Sequence, residues 1–206
     1  MTDKIFWLGH SSILIRSEKT IYIDPWKVRT KDQADLILIS HSHGDHLSPE
    51  DVKRIRKDDT VIVTTADAAP RLSGDVRILK PGENLTAHDI PVEAVPAYNT
   101  HTHTHKAFHS RRNGWIGFVV TVEGKRIYYA GDTDVIPEME TVRADVVIFP
   151  IGGTYTMTAA EAAKAVNIIE PESAIPIHWG DIVGSAADAR TFQELCKVPV
   201  TIKKPL

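Results

Sequence analysis

The chain has very little cysteine: Cys196 is the only one in 206 residues. One thiol cannot form a disulfide within the chain, so the disulfide frameworks of small secreted domains are excluded, as are zinc sites built from several thiolates. Long hydrophobic runs are also missing, and none approaches the roughly 20 apolar residues of a membrane-spanning helix. Charged and polar residues interrupt residues 1–15, so we expect no signal peptide and a cytoplasmic protein.

A strong charge of either sign is absent as well. The chain carries 24 basic and 27 acidic residues, which gives a formal net charge of -3. Nucleic-acid binding relies on many lysines and arginines along one surface, so a polyanion partner is not expected, and neither is a polybasic membrane anchor. The composition is 42% hydrophobic, and no linker rich in proline, glycine or serine interrupts it. We therefore expect one domain over residues 1–206.

Strand and helix patterns alternate along the chain. Apolar and β-branched segments predict strands at residues 5–8, 13–16, 21–23, 36–39, 61–64, 76–79, 90–95, 116–122, 125–130, 146–149 and 173–177. Helices are predicted at residues 49–56, 66–72, 159–169 and 188–197, and three capping-box patterns begin at Ser48, Thr158 and Ser185. Glu123 and Gly124 stand where a two-residue hairpin turn belongs. Two strand-rich halves that each carry helices predict an α/β fold, a four-layer αββα sandwich of two mixed β-sheets.

Three histidines and an aspartate follow directly after the apolar strand at residues 36–39. They are His41, His43, Asp45 and His46. The end of a buried strand holds its backbone rigidly, and alternate residues of an extended segment face the same side, so one loop can present several ligands. Imidazole and carboxylate are ligands that zinc prefers and that manganese and iron accept. This cluster therefore predicts an open metal site suited to hydrolysis.

The run from His41 to His46 resembles the HxHxDH signature of the metallo-β-lactamase superfamily. Three further motifs follow the order of that superfamily: Ile23-Asp24-Pro25, Ala130-Gly131-Asp132-Thr133 and Ile175-Pro176-Ile177-His178. The short chain and residues 150–157 are more similar to the small, cytosolic, lactonase-like branch than to secreted antibiotic-degrading enzymes. The resemblance implies the metallo-β-lactamase fold, a centre with two metal ions and hydrolytic activity.

Six metal ligands can be carried over from this resemblance, residue by residue. His41 and His43 would hold the first ion, and Asp45 and His46 the second. Asp132 would bridge both ions, and His178 would complete the second site. The strand pattern agrees independently, because Asp132 and His178 each follow a predicted strand.

One ligand position departs from the family pattern. The superfamily usually places a histidine at the end of the strand predicted at residues 90–95, where this chain has Pro96-Ala97-Tyr98-Asn99. Four histidines further on are candidates: His101, His103, His105 and His109. We favour His109, because it follows an apolar residue and shortly precedes the next strand. The other three alternate with threonines, which is typical of an exposed arm.

Two metal ions would explain why no protein nucleophile is apparent. Two divalent ions carry +4, and Asp45, Asp132 and a bridging hydroxide would remove three charges, so hydroxide can exist near neutral pH. We predict that Asp45 orients the hydroxide and relays its proton, and that Asp132 is the bridge. Zn²⁺ is the most expected ion, and Mn²⁺ or Fe²⁺ would also fit. His10 and His88 are interpreted as surface or turn histidines, and Asp24 as structural.

Substrate recognition is predicted from three residues near these motifs. Arg111 and Arg112 could clamp an anion, and Tyr155 could supply a polar contact, although a solvated loop explains the arginines equally well. We expect a small anionic ester, either a phosphodiester or a lactone. An RNA or DNA nuclease of the same fold and a non-catalytic metal-binding protein are the alternatives. A homo-oligomer is left open.

Overall fold

Two six-stranded β-sheets form the centre of the protein, seen in a computed structural model that describes residues 1–100 and 108–206. The first sheet follows the chain order and comprises β1 (Ile5–Gly9), β2 (Ser12–Arg16), β3 (Thr20–Ile23), β4 (Ala34–Leu38), β5 (Arg56–Thr64) and β6 (Asp75–Ile78). Strands β1 to β3 pair antiparallel, and β3 to β6 pair parallel. The parallel half brings the carboxyl ends of β3, β4 and β5 to one edge of the sheet.

The second sheet has the same mixed character. It comprises β7 (Asn84–Ala87), β8 (Ile90–Pro96), β9 (Ile116–Val122), β10 (Lys125–Tyr129), β11 (Val146–Pro150) and β12 (Ser173–Ile177). Strands β7 to β10 form an antiparallel meander, and β11 and β12 join it in parallel. The predicted hairpin is confirmed: Glu123 and Gly124 connect β9 to β10 with φ angles of 50° and 75°, as a type I′ turn requires.

Three α-helices among the described residues cover the sheets, and their starts follow the predicted caps. They are α1 (Pro49–Ile55), α2 (Ala159–Ile169) and α3 (Ala186–Leu195). The side chains of Ser48, Thr158 and Ser185 each accept a backbone hydrogen bond at the first turn, and Thr158 forms a complete capping box with Glu161. Among the described residues, no helix has both the length and the apolar character needed to cross a bilayer.

The hydrophobic residues form three clusters that define four layers. Side chains along a strand alternate between faces, so Ile13 and Ile15 join the cluster between the sheets while Leu14 packs with α1 residues Val52 and Ile55. The outer face of the second sheet forms the third cluster with α2 and α3. The layers are therefore helix, sheet, sheet, helix, which confirms the predicted αββα sandwich of two mixed sheets.

Three features of the secondary structure differ from the prediction. Residues 66–72 were expected to form an α-helix, but only a short 3₁₀ turn, Ala69–Arg71, is present. Pro70 lacks the backbone N–H that an α-helix needs and blocks the preceding turn, so this prediction was wrong. Strand β7 was not predicted, because a short, largely polar edge strand has little apolar signal. Cys196 caps α3 instead of lying within it.

Gly117 in β9 offers a stability test of the close packing behind the hairpin. A Cβ atom at Gly117 would stand 2.5 Å from the carbonyl oxygens of both Tyr129 and Ala130, and backbone atoms cannot move aside easily. We expect Gly117→Ala to lower the free energy of unfolding by about 1–3 kcal/mol or more. Urea unfolding of metal-free protein measures this. Gly44→Ala is the control, because a Cβ there meets nothing within 4 Å, and an equal loss in both variants would contradict the prediction.

Candidate metal centre

Strand ends bring the predicted ligands to one edge of the sandwich. The loop from His41 to His46 lies between β4 and α1, Asp132 follows β10, and His178 follows β12. Five of the side chains predicted as ligands are almost fully buried: His41, His46, His109, Asp132 and His178. All seven predicted ligands fall into two groups of histidine and aspartate side chains whose geometry could hold metal ions.

The first group comprises His41, His43, His109 and Asp132, whose potential ligand atoms all lie within 4.8 Å of one another. His109 Nε2 stands 3.2 Å from Asp132 Oδ2. The three imidazole rings are spread around a common point, with centroids 4.7, 5.3 and 5.6 Å apart. The arrangement leaves room for one ion at the centre of the group.

Asn99 explains how His109 reaches this group although it lies far beyond the end of β8. The Asn99 side-chain oxygen accepts a hydrogen bond from the His109 backbone N–H at 2.9 Å and stands 3.0 Å from His109 Nδ1. The Asn99 backbone N–H donates to the His109 carbonyl at 2.7 Å. These contacts orient the ring so that Nε2 faces Asp132. The rival candidates His101, His103 and His105 lie outside the described residues.

The second group comprises His10, Asp45, His46 and His178, again with potential ligand atoms within 4.8 Å of one another. Asp45 Oδ2 stands 3.8 Å from His46 Nε2 and 3.9 Å from His178 Nε2. His10 was not predicted as part of the site. It does lie in the turn between β1 and β2, but its residue is only 1% exposed, so the surface interpretation was wrong.

Asp132 lies between the two groups and faces each with a different oxygen. Its Oδ1 atom stands 3.2 Å from His46 Nε2 and 3.3 Å from His178 Nε2, in the second group. Its Oδ2 atom stands 3.2 Å from His109 Nε2, in the first group. One carboxylate therefore contacts both groups at once, as a bridging ligand must.

Several buried polar atoms at this site lack hydrogen-bond partners but have the spacing expected of metal ligands. Within residues 1–100 and 108–206, His41 Nε2, His46 Nε2, Asp132 Oδ1 and His178 Nε2 are buried without a hydrogen-bond partner. His46 Nε2 and His178 Nε2 lie close to Asp132 Oδ1 but form no hydrogen bond with it, although buried polar atoms normally have partners. Ligand atoms about 2.0–2.1 Å from one ion stand roughly 3.3–3.4 Å apart in a tetrahedron. The spacings around Asp132 match this value, so these residues fit divalent ions.

Asp24 positions His46 from behind. This buried carboxylate accepts hydrogen bonds from Ser40 N at 2.7 Å, Ser40 Oγ at 2.6 Å and Tyr129 Oη at 2.6 Å. It also lies 2.7 Å from His46 Nδ1, which directs His46 Nε2 toward Asp132. Asp24 therefore has the predicted structural role and also orients His46, a candidate ligand. Carboxylates commonly orient metal-binding histidines in this way.

Trp115 packs against the three histidines of the first group. Its ring centroid lies 4.6 Å from those of His41 and His43 and 5.5 Å from that of His109. The indole N–H donates to Asp67 at 2.8 Å, and Asp67 also accepts from Ser42 Oγ at 2.6 Å. Asp67 therefore ties the tryptophan to the His41–His46 loop. No short motif around Asp67 signals this contact.

The protonation states of His41, Asp132 and Asp45 favour the binding of cations. Burial, followed by the nearby His46, holds the pKa of His41 well below its usual range, so the ring is neutral and able to bind metal. Burial tends to raise the pKa of Asp132, but the neighbouring His178 and His46 hold it well below its usual range. Burial also opposes ionisation of Asp45, yet the hydrogen bond with His10 and the charge of His46 lower its pKa to about 2. Both carboxylates are therefore ionised at neutral pH.

The residues predicted to bind substrate are less clearly arranged. Arg111 donates to Glu138 at 2.8 Å and lies over the Tyr98 ring, so its charge is already paired. Arg112 is exposed, and Tyr155 packs its ring edge-on against Phe108 at 4.8 Å. Phe108 directly precedes His109 in the sequence. The substrate contacts remain predictions.

Comparisons with known proteins agree with this geometry. Residues 4–178 match the family described as the beta-lactamase superfamily domain. Similar proteins include metal-dependent hydrolases of Archaeoglobus fulgidus, 33% identical, and Thermococcus kodakarensis, 34% identical, each covering 98% of this chain and 96% of the relative.

Solved structures show the same fold. A candidate metal-dependent hydrolase of Parabacteroides distasonis is 32% identical with a TM-score of 0.84, over 97% of this chain and 91% of that chain. A metallo hydrolase of Ignicoccus hospitalis, 22% identical over 98% of this chain and 94% of that chain, shares the fold with a TM-score of 0.79. The predicted resemblance is confirmed at the level of the superfamily. The chain belongs to the beta-lactamase superfamily, among relatives that are metal-dependent hydrolases, and it carries two histidine and aspartate groups able to bind metal.

Proposed function

We propose that the protein is a binuclear metal-dependent hydrolase that cleaves a small anionic ester, either a phosphodiester or a lactone. The observation that carries this proposal is the position of Asp132, whose two oxygens face two separate histidine groups. His41, His43 and His109 would hold one ion, and Asp45, His46 and His178 the other. A donor set of imidazole nitrogens and carboxylate oxygens favours Zn²⁺, with Mn²⁺ or Fe²⁺ as alternatives.

The two carboxylates of the centre, Asp132 and Asp45, would have different roles in hydrolysis. Bound divalent ions lower the pKa of water and stabilise negative charge on oxygen. Asp132, buried between the groups, holds both halves of the site in register. Asp45 is the more accessible carboxylate, with 26% of its side chain exposed, so it can orient the attacking water and accept its proton on a carboxylate oxygen.

An anionic substrate follows from the charge of this site. With two divalent ions and two carboxylates, the centre retains positive charge and attracts phosphate or carboxylate groups. Arg112 is the better candidate for an anion contact, because Arg111 is paired with Glu138. Tyr155 would contact the substrate beside Phe108. The lactone alternative rests on the similarity of residues 150–157 to the lactonase-like branch, and a net charge of -3 argues against long nucleic acids.

The first experiment is metal content per chain, measured by elemental mass spectrometry on untagged protein. Wild type should retain about two ions and His109→Ala about one, because the variant loses a ligand of the first group. His88→Ala is a matched control, since His88 lies in a distant turn and contacts the Asp59 carbonyl. Two tightly held ions in His109→Ala would show that another histidine completes the first group. No tightly held ion in wild type would defeat the binuclear proposal.

The second experiment tests the reaction with two anionic probes, bis(4-nitrophenyl) phosphate and the carboxylated lactone 5-oxotetrahydrofuran-2-carboxylate. Turnover of at least one should fall about a thousandfold or more after chelation and return with Zn²⁺ or Mn²⁺, since the ions supply several kcal/mol of charge stabilisation. Full turnover by chelated protein would end the mechanism. If the protein holds two ions but cleaves neither compound, the binuclear metal centre stands and the proposed substrate class is wrong.

A further inference from the structure

His10 is a buried residue of the second group that the proposed mechanism does not use. Its Nε2 atom lies 3.1 Å from Asp45 Oδ2, within hydrogen-bonding distance. Its ring lies over the His178 ring with centroids 3.9 Å apart. One imidazole therefore contacts both Asp45 and His178, two candidate ligands that are distant from each other in the sequence.

The backbone of His10 adopts a conformation that needs a reason. Its φ angle is 45°, in the left-handed region that residues with a Cβ rarely occupy. The His10 carbonyl accepts hydrogen bonds from the His178 backbone N–H at 2.9 Å and from Trp7 Nε1 at 2.8 Å. The main chain of this turn thus anchors the strand end that carries His178. His88 has a similar φ angle of 49° in another turn, so the role of the His10 side chain is inferred from its contacts with Asp45 and His178.

The ring geometry distinguishes His10 from the candidate ligands. Rings that converge on a proposed ion within one group have centroids 4.7 to 5.7 Å apart, as for His41 with His43 and His46 with His178. The His10 ring lies outside this range on both sides: its centroid is 3.9 Å from that of the His178 ring, with the planes tilted by 39°, and 6.3 Å from that of the His46 ring. This placement suits a residue that packs behind the ligands better than a ligand in the same sphere.

We infer that His10 is a positioning residue of the second metal site, donating its Nε2–H to Asp45 Oδ2 while its ring holds His178 in place. This inference rests on the proposed binuclear function. Hydrogen bonds to metal-ligating side chains fix their orientation, and removing such a partner commonly weakens metal binding 10–100-fold. We expect His10 to act on the second ion only, because within the described residues no hydrogen bond or ring contact joins it to the first group.

The decisive experiment compares His10→Gln with His10→Ala in a Co²⁺ titration followed by visible absorption, with elemental analysis of the same samples. The glutamine amide nitrogen can replace the Nε2–H donor. We expect His10→Ala to weaken the second Co²⁺ step about 10–100-fold and leave the first unchanged. His10→Gln should recover most of this affinity with the wild-type spectrum. His88→Gln and His88→Ala are matched controls, because His88 also has a positive φ angle of 49°.

Several outcomes would overturn the inference. If His10→Gln binds the second ion as weakly as His10→Ala and alters the Co²⁺ spectrum, His10 is a ligand. If His10→Ala matches wild type in both steps, His10 has no role at the site. If wild type never takes up a second ion, the proposed function itself fails first, and this inference falls with it. His10→Gly removes the ring and the backbone strain together, so it serves as the test if His10→Ala does not fold.

Discussion

Asp132→Ala is expected to abolish tight binding of both metal ions and to lower kcat/KM by about a thousandfold or more, which corresponds to roughly 4 kcal/mol of transition-state stabilisation. The physical reason is that each oxygen of this carboxylate faces a different histidine group at 3.2–3.3 Å. Without it, the rings of His46, His109 and His178 lose the negative charge that draws two cations to one buried position. Metal content and kcat/KM at saturating Zn²⁺ measure the two effects.

Control variants separate this loss from general damage to the fold. Asp132→Asn keeps the volume of the side chain but removes its charge, so metal should still be lost while unfolding changes less than in Asp132→Ala. Asp145→Asn tests a carboxylate at the start of β11 that accepts from the Arg126 backbone and pairs with Lys125. Its metal content should equal that of wild type. Two ions retained by Asp132→Asn would mean that Asp132 is not the bridge.

Asp24→Ala is expected to destabilise the protein by about 3–5 kcal/mol. Asp24 is fully buried, and four polar groups converge on its carboxylate: Ser40 N, Ser40 Oγ, His46 Nδ1 and Tyr129 Oη. Removing the carboxylate leaves these donors without their acceptor in the interior, and such losses cost about 1–3 kcal/mol each when they are not relieved. Urea unfolding in the presence of chelator gives the free energy without a contribution from bound metal.

A conservative variant isolates the metal effect of Asp24. Asp24→Asn keeps the shape but no longer offers a charged acceptor to His46 Nδ1, so we expect the second ion to bind about 10–100-fold more weakly. Tyr129→Phe is the control, because it removes one donor and leaves the His46 contact in place. Zn²⁺ competition with a chelating dye measures the affinity. Equal affinity in wild type and Asp24→Asn would show that His46 orients itself without this carboxylate.

Local patterns in the sequence were sufficient for much of the architecture. Apolar and β-branched segments predicted eleven of the twelve strands among the described residues, since such side chains suit extended segments that are buried on one face or on both. The Ser48 and Thr158 caps predicted the starts of α1 and α2, because a capping side chain bonds within its own turn. The α-helix predicted at residues 66–72 was wrong, because Pro70 lacks the backbone N–H that an α-helix needs and the segment forms only a short 3₁₀ turn.

The candidate ligands could also be predicted from the sequence. Most of them follow a predicted strand, and the spacing of ligands within one loop is a local property of the sequence. The placement of His109 in the first group agrees with its favoured position, but the sequence could not say why the ring reaches Asp132. That depends on Asn99, which lies ten residues away in the sequence and binds both the backbone and the ring of His109. Similarly, the pairing of Arg111 with Glu138 joins two segments that have no shared motif.

The sequence by itself determined the two mixed sheets, the helix starts, the superfamily and six of the candidate metal ligands, because these depend on residue type and short-range spacing. Only the tertiary structure decided which side chains surround the centre. His10 meets Asp45 across 35 positions, and Trp115 meets Asp67 across 48. Such contacts arise when separate strand ends meet at one edge of the sandwich, and no periodicity along the chain records that meeting.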